Sequence, residues 1–365
     1  MDNEEEVLSL LALKFTPKIG DITAKKLITH VGSASEVFKT KELLLKKING
    51  IGTATAEALT NKLGMQKAEG ELKFIQKHNI DIHVFNEKNY PARLLECEDG
   101  PFLFFTKGKQ VLHNAKIISI VGTRKATDYG KEFTEKLIAD LAPYNVVIVS
   151  GLAYGIDIYA HKAAIKNKLA TVGVMANGLH KIYPAAHKNT AIEMLEQGAL
   201  LTEFTSFHNS EQAHFPMRNR IIAGICDALV MVESGMKGGS LITATQANIY
   251  NREVFALPGR VGDEYSSGCN FFIRTQRAQL IECGQDLVEL LQWDTKINNI
   301  TQLRLFDEAT ADEQLILALL GKDAIHIDEL SAKLGINKGK LSMLILEMEL
   351  KGYIKNLPGS RYKKN

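Results

Sequence analysis

The 365 residues carry 44 Lys and Arg against 42 Asp and Glu, a formal net charge of +2, and 45% of them are hydrophobic. That length suits one to three domains with sizeable cores, and near-neutrality means that affinity for a polyanion must come from local patches, not overall charge. Cys97, Cys226, Cys269 and Cys283 lie far apart, with no CxxC pair and no His at ligand spacing, so neither a disulfide framework nor a metal site is expected and a reduced, cytoplasmic protein is. The acidic start Met1-Asp-Asn-Glu-Glu-Glu6 is unlike a signal or transit peptide. No apolar run approaches membrane-spanning length, so no membrane association is expected.

In chain order, residues 1–70 read as a helical module with two related segments, Phe15-Thr-Pro-Lys-Ile-Gly-Asp-Ile-Thr-Ala-Lys-Lys-Leu27 and Ile48-Asn-Gly-Ile-Gly-Thr-Ala-Thr-Ala-Glu-Ala-Leu59. Both place glycine before a Thr/Ala-rich helix start. The second is similar to the helix-hairpin-helix (SAM-like) motif, whose turn presents N–H groups to a DNA phosphate; the other reading is a small packing module. The first copy lacks one of the glycines. Residues 71–110 form a bridge, with a short strand at Asp81-Ile-His-Val-Phe85 and a buried one at Phe102-Leu-Phe-Phe105. Residues 111–292 alternate strand and helix, with apolar runs at 117–121, 146–149, 171–175, 200–201, 228–232, 254–257 and 279–281. Short continuous apolar strands separated by helices predict an α/β Rossmann-like, doubly wound, mostly parallel sheet. A polar linker over 293–312 leads to residues 313–365. There a helix, a Gly335 turn, a second helix over 338–351 and a hairpin at Pro358-Gly359 give a winged-helix pattern. Lys338, Lys340, Arg361, Lys363 and Lys364 could meet phosphates, or the unit docks a protein.

In a doubly wound sheet, ligands sit outside the carboxyl ends of the strands. The distinctive segments fall at those ends: Gly122-Thr-Arg124, Ser150-Gly-Leu-Ala-Tyr-Gly-Ile-Asp157, Asn177–Pro184, Glu233–Ser240 and Pro258-Gly-Arg-Val-Gly262. Small residues admit close backbone approach, helix N-termini supply partial positive charge, and Arg and Lys supply full charges. The candidate phosphate contacts are therefore Gly122, Thr123 and Arg124; Ser150, Gly151, Leu152, Ala153 and Gly155; Lys162; Arg218 and Asn219; Lys237, Gly238, Gly239 and Ser240; and Arg260. Structural readings stand beside these. Gly151 and Gly155 also suit tight strand-to-helix turns, Asp157 suits a helix cap, and His161 suits packing. Phe271-Phe272 suits the core, whereas Tyr154, in a turn, is the better candidate for base stacking. On a helix over 216–224, Arg218 and Arg220 lie roughly 200° apart, so one of them makes a structural contact.

Taken together, Gly122-Thr-Arg124, Ser150–Asp157, Phe215-Pro-Met-Arg-Asn-Arg-Ile-Ile-Ala-Gly224, Gly239-Ser-Leu-Ile-Thr-Ala244 and Ala256-Leu-Pro-Gly259 resemble the DNA-processing protein A family (DprA, also called Smf). The flanking helical module and winged helix also occur there. The resemblance implies a non-catalytic, homodimeric protein with no cofactor. Such a protein binds incoming single-stranded DNA without strong sequence preference, protects it and loads the RecA recombinase onto it in natural transformation. By position, Arg124 and the Ser150–Asp157 loop match that family's phosphate pocket, and Lys162 does so less closely. This chain departs from the pattern at His187, where Asn is usual, over Thr205–His214, and at Thr275-Gln-Arg-Ala278.

Other functions on the same architecture fit less well. A nucleotide phosphoribohydrolase needs a Glu after its glycine loop, where Gly238-Gly-Ser-Leu-Ile-Thr-Ala-Thr245 has hydroxyls and apolar residues. Gly235-Met-Lys-Gly-Gly-Ser240 lacks the GxxxxGK[ST] order of a nucleotide-driven motor. Gly122-Thr-Arg124 is not the GxGxxG of a dinucleotide oxidoreductase. A pure protein adaptor remains compatible with the sequence.

Overall fold

The computed structural model describes residues 4–113, 116–293, 310–320, 324–357 and 359–364. Two compact units result, Met1–Trp293 and Asp294–Asn365. Most of the expected linker, residues 294–309, lies outside the described residues, as does Pro358 of the expected hairpin turn.

The first unit begins with α1 (Glu4–Phe15), α2 (Asp21–Val31), α3 (Ala34–Lys39), α4 (Glu42–Leu45), α5 (Thr53–Thr60) and α6 (Met65–His78). Leu11, Leu27, Leu45, Leu59 and Leu72 point from these helices into one apolar cluster, which Val84, Leu103 and Phe105 complete. The two related turns fold alike. Gly50 sits at φ 87 before Gly52, the N-cap of α5, and Lys18 sits at φ 65 before Gly20, the N-cap of α2. The glycine absent from the first copy is thus replaced by a lysine held in the left-handed region, which side chains seldom adopt.

The bridging segment supplies β1 (Asp81–Val84), α7 (Ala92–Leu95) and β2 (Leu103–Gly108). It is not a spacer: β1 and β2 form one end of the large sheet. Arg93 on α7 makes a two-pronged contact with Asp227, 2.7 and 2.8 Å, while the same carboxylate accepts the Ile117 amide at 2.7 Å.

The strand–helix alternation then gives β3 (Ile117–Val121), α8 (Asp128–Leu141), β4 (Val147–Ser150), α9 (Ile156–Lys166), β5 (Thr171–Val174), α10 (Lys188–Met194) and β6 (Ala199–Thr202). It continues with α11 (His214–Gly224), β7 (Ala228–Met231), α12 (Gly239–Ile249), β8 (Glu253–Ala256), α13 (Ser267–Arg274), β9 (Gln279–Leu280) and α14 (Gly284–Leu290). The described residues make a nine-stranded sheet in the order β1-β2-β6-β5-β4-β3-β7-β8-β9. From β6 to β9 it is parallel; β2 joins it antiparallel to β6.

Parallel strands buried on both faces need two helical layers, and the pleat of β3 shows how they divide. Ile118 and Ile120 pack with Phe133, Leu137 and Ala160 of α8 and α9. Ile117 and Val121 face Ile221, Ala244 and Phe272 of α11, α12 and α13. The chain lays down β3 to β6 in one direction, then returns to place β7 on the other side of β3. Val121 and Met231, the register-paired ends of β3 and β7, therefore flank the point where the winding reverses, the place where such sheets open a crevice.

The second unit comprises α15 (Ala311–Leu319), β10 (Ile325–His326), α16 (Ile327–Leu334), α17 (Lys338–Leu350), β11 (Ile354–Leu357) and β12 (Arg361–Lys364). The strands pair in the order β10-β12-β11 over a core of Ile316, Leu330, Leu341, Ile345 and Met348. This is a winged helix.

Candidate functional site

A cavity of about 720 Å³ opens where β3 and β7 end. Its walls come from five places in the sequence: Gly122–Lys125 after β3, Ala153 and Asp157 around the start of α9, Phe215, Arg218 and Asn219 of α11, Ser234–Ser240 running from β7 into α12, and Glu264, Tyr265 and Ser267 around the start of α13. The sheet order alone brings these segments together.

The loop from Ser150 to Asp157 is tied down from within. Ser150 Oγ is buried and donates to the Ile120 carbonyl at 2.6 Å. Asp157 Oδ2 accepts the amides of Gly151 and Ala153 at 3.1 and 3.4 Å. Arg218 Nη1 donates to the Gly151 carbonyl at 2.6 Å and also to the carbonyl of Val174. His187 Nδ1 reaches the Leu152 carbonyl at 2.8 Å, and Leu152 itself, at φ 55, is fully buried. At Gly155, φ is 76 and a Cβ would lie 2.1 Å from the Thr123 carbonyl oxygen, so that glycine is demanded by the fold. Asp157 and Arg218 are opposed buried charges. Burial pushes the Asp157 carboxyl up and the Arg218 guanidinium down to about 10, while their mutual attraction opposes both shifts.

The loop from Ser234 to Ser240 is different. Helix α12 starts at Gly239, its N-cap is Gly238, and no side chain caps it. A Cβ on Gly239 would meet nothing within 4 Å. By contrast, α8 is capped by Thr127, and the buried Glu233 carboxylate accepts the Thr127 amide at 3.0 Å and its hydroxyl at 2.5 Å. Like α9, α11 and α13, α12 starts at the crevice with no side-chain cap, and with open space beside Gly239 its positive end is accessible to an anion. The walls also carry exposed positive side chains, against the exposed Glu264 and the buried Asp157. Arg124 and Lys125 are exposed, as is Lys237. The Arg124 guanidinium lies 5.4 Å from the centre of the Phe215 ring, which holds the cation over the opening.

Not every residue singled out from the sequence reaches this cavity. Gly122, Thr123, Arg124, Ala153, Arg218, Asn219, Lys237, Gly238, Gly239 and Ser240 line it. Ser150, Gly151, Leu152 and Gly155 do not: their groups are taken up within the fold. Lys162 is exposed on α9 but is not part of the wall. Arg260 lines a neighbouring cavity of about 780 Å³ with Tyr129, Glu233 and Tyr265. Asn177 lines a smaller one with Lys181, Tyr183 and Asn209. The two arginines of α11 diverge as helix geometry requires. Arg218 turns to the cavity, and Arg220 pairs with Asp21 of α2 at 2.8 Å and Glu203 at 2.5 Å. His161 is fully buried against Thr171, with Nδ1 2.7 Å from Oγ1, and burial lowers its pKa to about 3. Phe272 is core. In the winged helix, Lys338 pairs with Asp328 at 2.7 Å and Lys340 with Asp312 at 3.0 Å, whereas Arg361, Lys363 and Lys364 lie on β12. Sequence reasoning passed over Lys125, Glu264 and Tyr265. Lys125 stood next to Arg124 and was within reach. Glu264 and Tyr265 carry no local signal, because the turn after Gly262 alone aims them inward.

Fold and crevice together define a Rossmann-like α/β protein whose switch point holds glycines, cations and an uncapped helix instead of a dinucleotide turn. The chain belongs to the family of DNA recombination-mediator protein A, whose model matches residues 81–292; the DprA winged helix domain matches residues 305–360. Protein Smf of Escherichia coli K12 is 34% identical, over 80% of this chain and 79% of that one. The crystal structure of DNA processing protein A from Streptococcus pneumoniae superposes with a TM-score of 0.70 at 29% identity, covering 79% of this chain and 98% of that one. A solved structure of DNA processing protein A from Helicobacter pylori, described for its single-stranded DNA binding mode, gives 0.54 at 28% identity, covering 59% and 96%. Among the described residues no helix is long and apolar enough to cross a membrane.

Proposed function

We propose that this protein binds single-stranded DNA by its phosphates in the crevice between β3 and β7, protects the incoming strand and loads the RecA recombinase onto it during natural transformation. In this reading it acts in the cytoplasm as a homodimer and without catalysis. One observation carries the reading: an open helix start at Gly238–Ser240 and the exposed cations Arg124, Lys125 and Lys237 share one cavity. That combination suits a flexible polyanion, since backbone N–H groups and guanidinium forks bind phosphate whatever the base. Kinship with a protein described for single-stranded DNA binding supports the choice of ligand. The absence of catalysis is inferred from what stands after the glycine loop, where Ser240, Leu241 and Thr243 offer no carboxylate to assist glycosidic cleavage.

The test uses the full chain. Fluorescence anisotropy with matched single- and double-stranded oligonucleotides should show salt-sensitive binding that favours the single strand and varies little with sequence. The same protein should shield that strand from exonuclease and speed RecA filament assembly on it. Equal preference for duplex, no effect on RecA assembly, or release of free base from nucleoside monophosphates would contradict the proposal.

A further inference from the structure

Tyr154 has no part in holding the loop that carries it. Its neighbours are fully engaged: Gly151 and Ala153 by Asp157, Leu152 by His187, and Gly155 by close packing on the backbone of Thr123 and Arg124. Tyr154 itself is half exposed, at 50%. Its ring meets the buried His187 ring edge to face, with centroids 4.8 Å apart and planes at 67°. Because the Leu152 carbonyl only accepts, His187 must carry its proton on Nδ1 to make the 2.8 Å bond. That bond fixes the imidazole, and the imidazole in turn supports the tyrosine. A large aromatic ring is thus carried on a backbone fixed by hydrogen bonds and close packing, one residue from the point where Gly155 abuts Arg124.

We propose that the outward face of Tyr154, backed by His187, is a stacking site for one nucleobase of a strand whose phosphates occupy the neighbouring crevice. The proposal rests on the phosphate-binding reading above and adds a base contact to it. Every base has a π face, so such a platform adds affinity without reading sequence. An immobile platform also loses little conformational entropy on binding. His187 is a positioning residue here, acting through the Leu152 carbonyl and the edge of the ring.

Two measurements on the full chain test this. First, Tyr154→Ala should lower affinity for oligothymidylate about five-fold or more, as expected for removal of a base-stacking ring. Its salt slope and its affinity for an abasic strand of the same length should stay as in the wild type. Tyr154→Phe should bind like wild type, and His187→Asn, which keeps a donor, should bind better than His187→Ala. Second, Tyr154→Trp in a Trp293→Phe background should lose emission saturably with oligothymidylate and not with the abasic strand. If Tyr154→Ala binds both strands as wild type does, or loses affinity for both equally, the base contact is wrong while the phosphate reading stands. Failure of the wild-type chain to bind any single strand overturns both.

Discussion

The loops at Ser150–Asp157 and Ser234–Ser240 look alike as sequence, each a run of glycines and small residues between a buried strand and a helix. In the folded protein they do opposite things. In the first, the backbone groups are answered internally by Asp157, Arg218 and His187, and its glycine at 155 has no room for a methyl group. In the second, the glycine at 239 opens the helix and faces open space. A glycine-rich loop can thus be a structural joint or a ligand cradle, and the partners of its backbone decide which.

The comparison breaks most visibly at its structural side. Gly155→Ala should cost on the order of 3 kcal/mol or more, because a β-carbon must sit where the Thr123 carbonyl is, at a φ that side chains avoid. Thermal melting would show a large drop, and an unchanged midpoint would mean that the joint is not rigid. Nearly as large is Arg220→Met. It leaves Glu203, which is 2% exposed, without its 2.5 Å partner, and stranding a buried charge costs about 3–5 kcal/mol. The predicted loss of stability should be partly recovered by Glu203→Gln in the same chain.

Gly239→Ala sharpens the other side. It should melt within about 0.5 kcal/mol of wild type, as surface changes do, yet bind single-stranded DNA several-fold more weakly, because in the proposed binding mode the methyl group stands where a phosphate approaches. Unchanged affinity would show that no ligand comes near α12. A pH slope gives the last test, small within any one pH unit. Burial keeps the folded-state pKa of His161 near 3, below the ordinary value of about 6.5. Only the unfolded chain takes up that proton as pH falls between those values, so stability is lost on going down through this window, by at most about 1.4 kcal/mol per pH unit. Denaturant titrations of His161→Gln should show a shallower acid dependence than wild type over the same range.

How much of this the sequence discloses depends on how local the cause is. The layered sheet is legible because buried strands and amphipathic helices declare themselves within a few residues, as at Val147–Ser150 and Asp128–Leu141. The winged helix is legible for the same reason. The crevice is legible in outline, since Gly122-Thr-Arg124 and the glycines before α12 stand at strand ends. What stays hidden depends on distant partners. Helix geometry separates Arg218 from Arg220, but only folding brings Asp21 and Glu203 to one and the Gly151 and Val174 carbonyls to the other. Ser150 looks like a ligand hydroxyl until Ile120 takes its proton donor. Lys162 carries the right charge on a surface that the cavity does not include, and Glu233 gives no hint in sequence that it holds Thr127, the cap of α8.

The most direct measurement is the salt dependence of single-stranded DNA binding by the full chain with and without Arg124. If this arginine neutralises one phosphate at the mouth of the crevice, Arg124→Ala should weaken binding alike for several sequences. It should also reduce the log–log salt slope by about 0.7, the value for one phosphate on a single strand. A folded Arg124→Ala protein with wild-type affinity and an unchanged slope would place the DNA elsewhere.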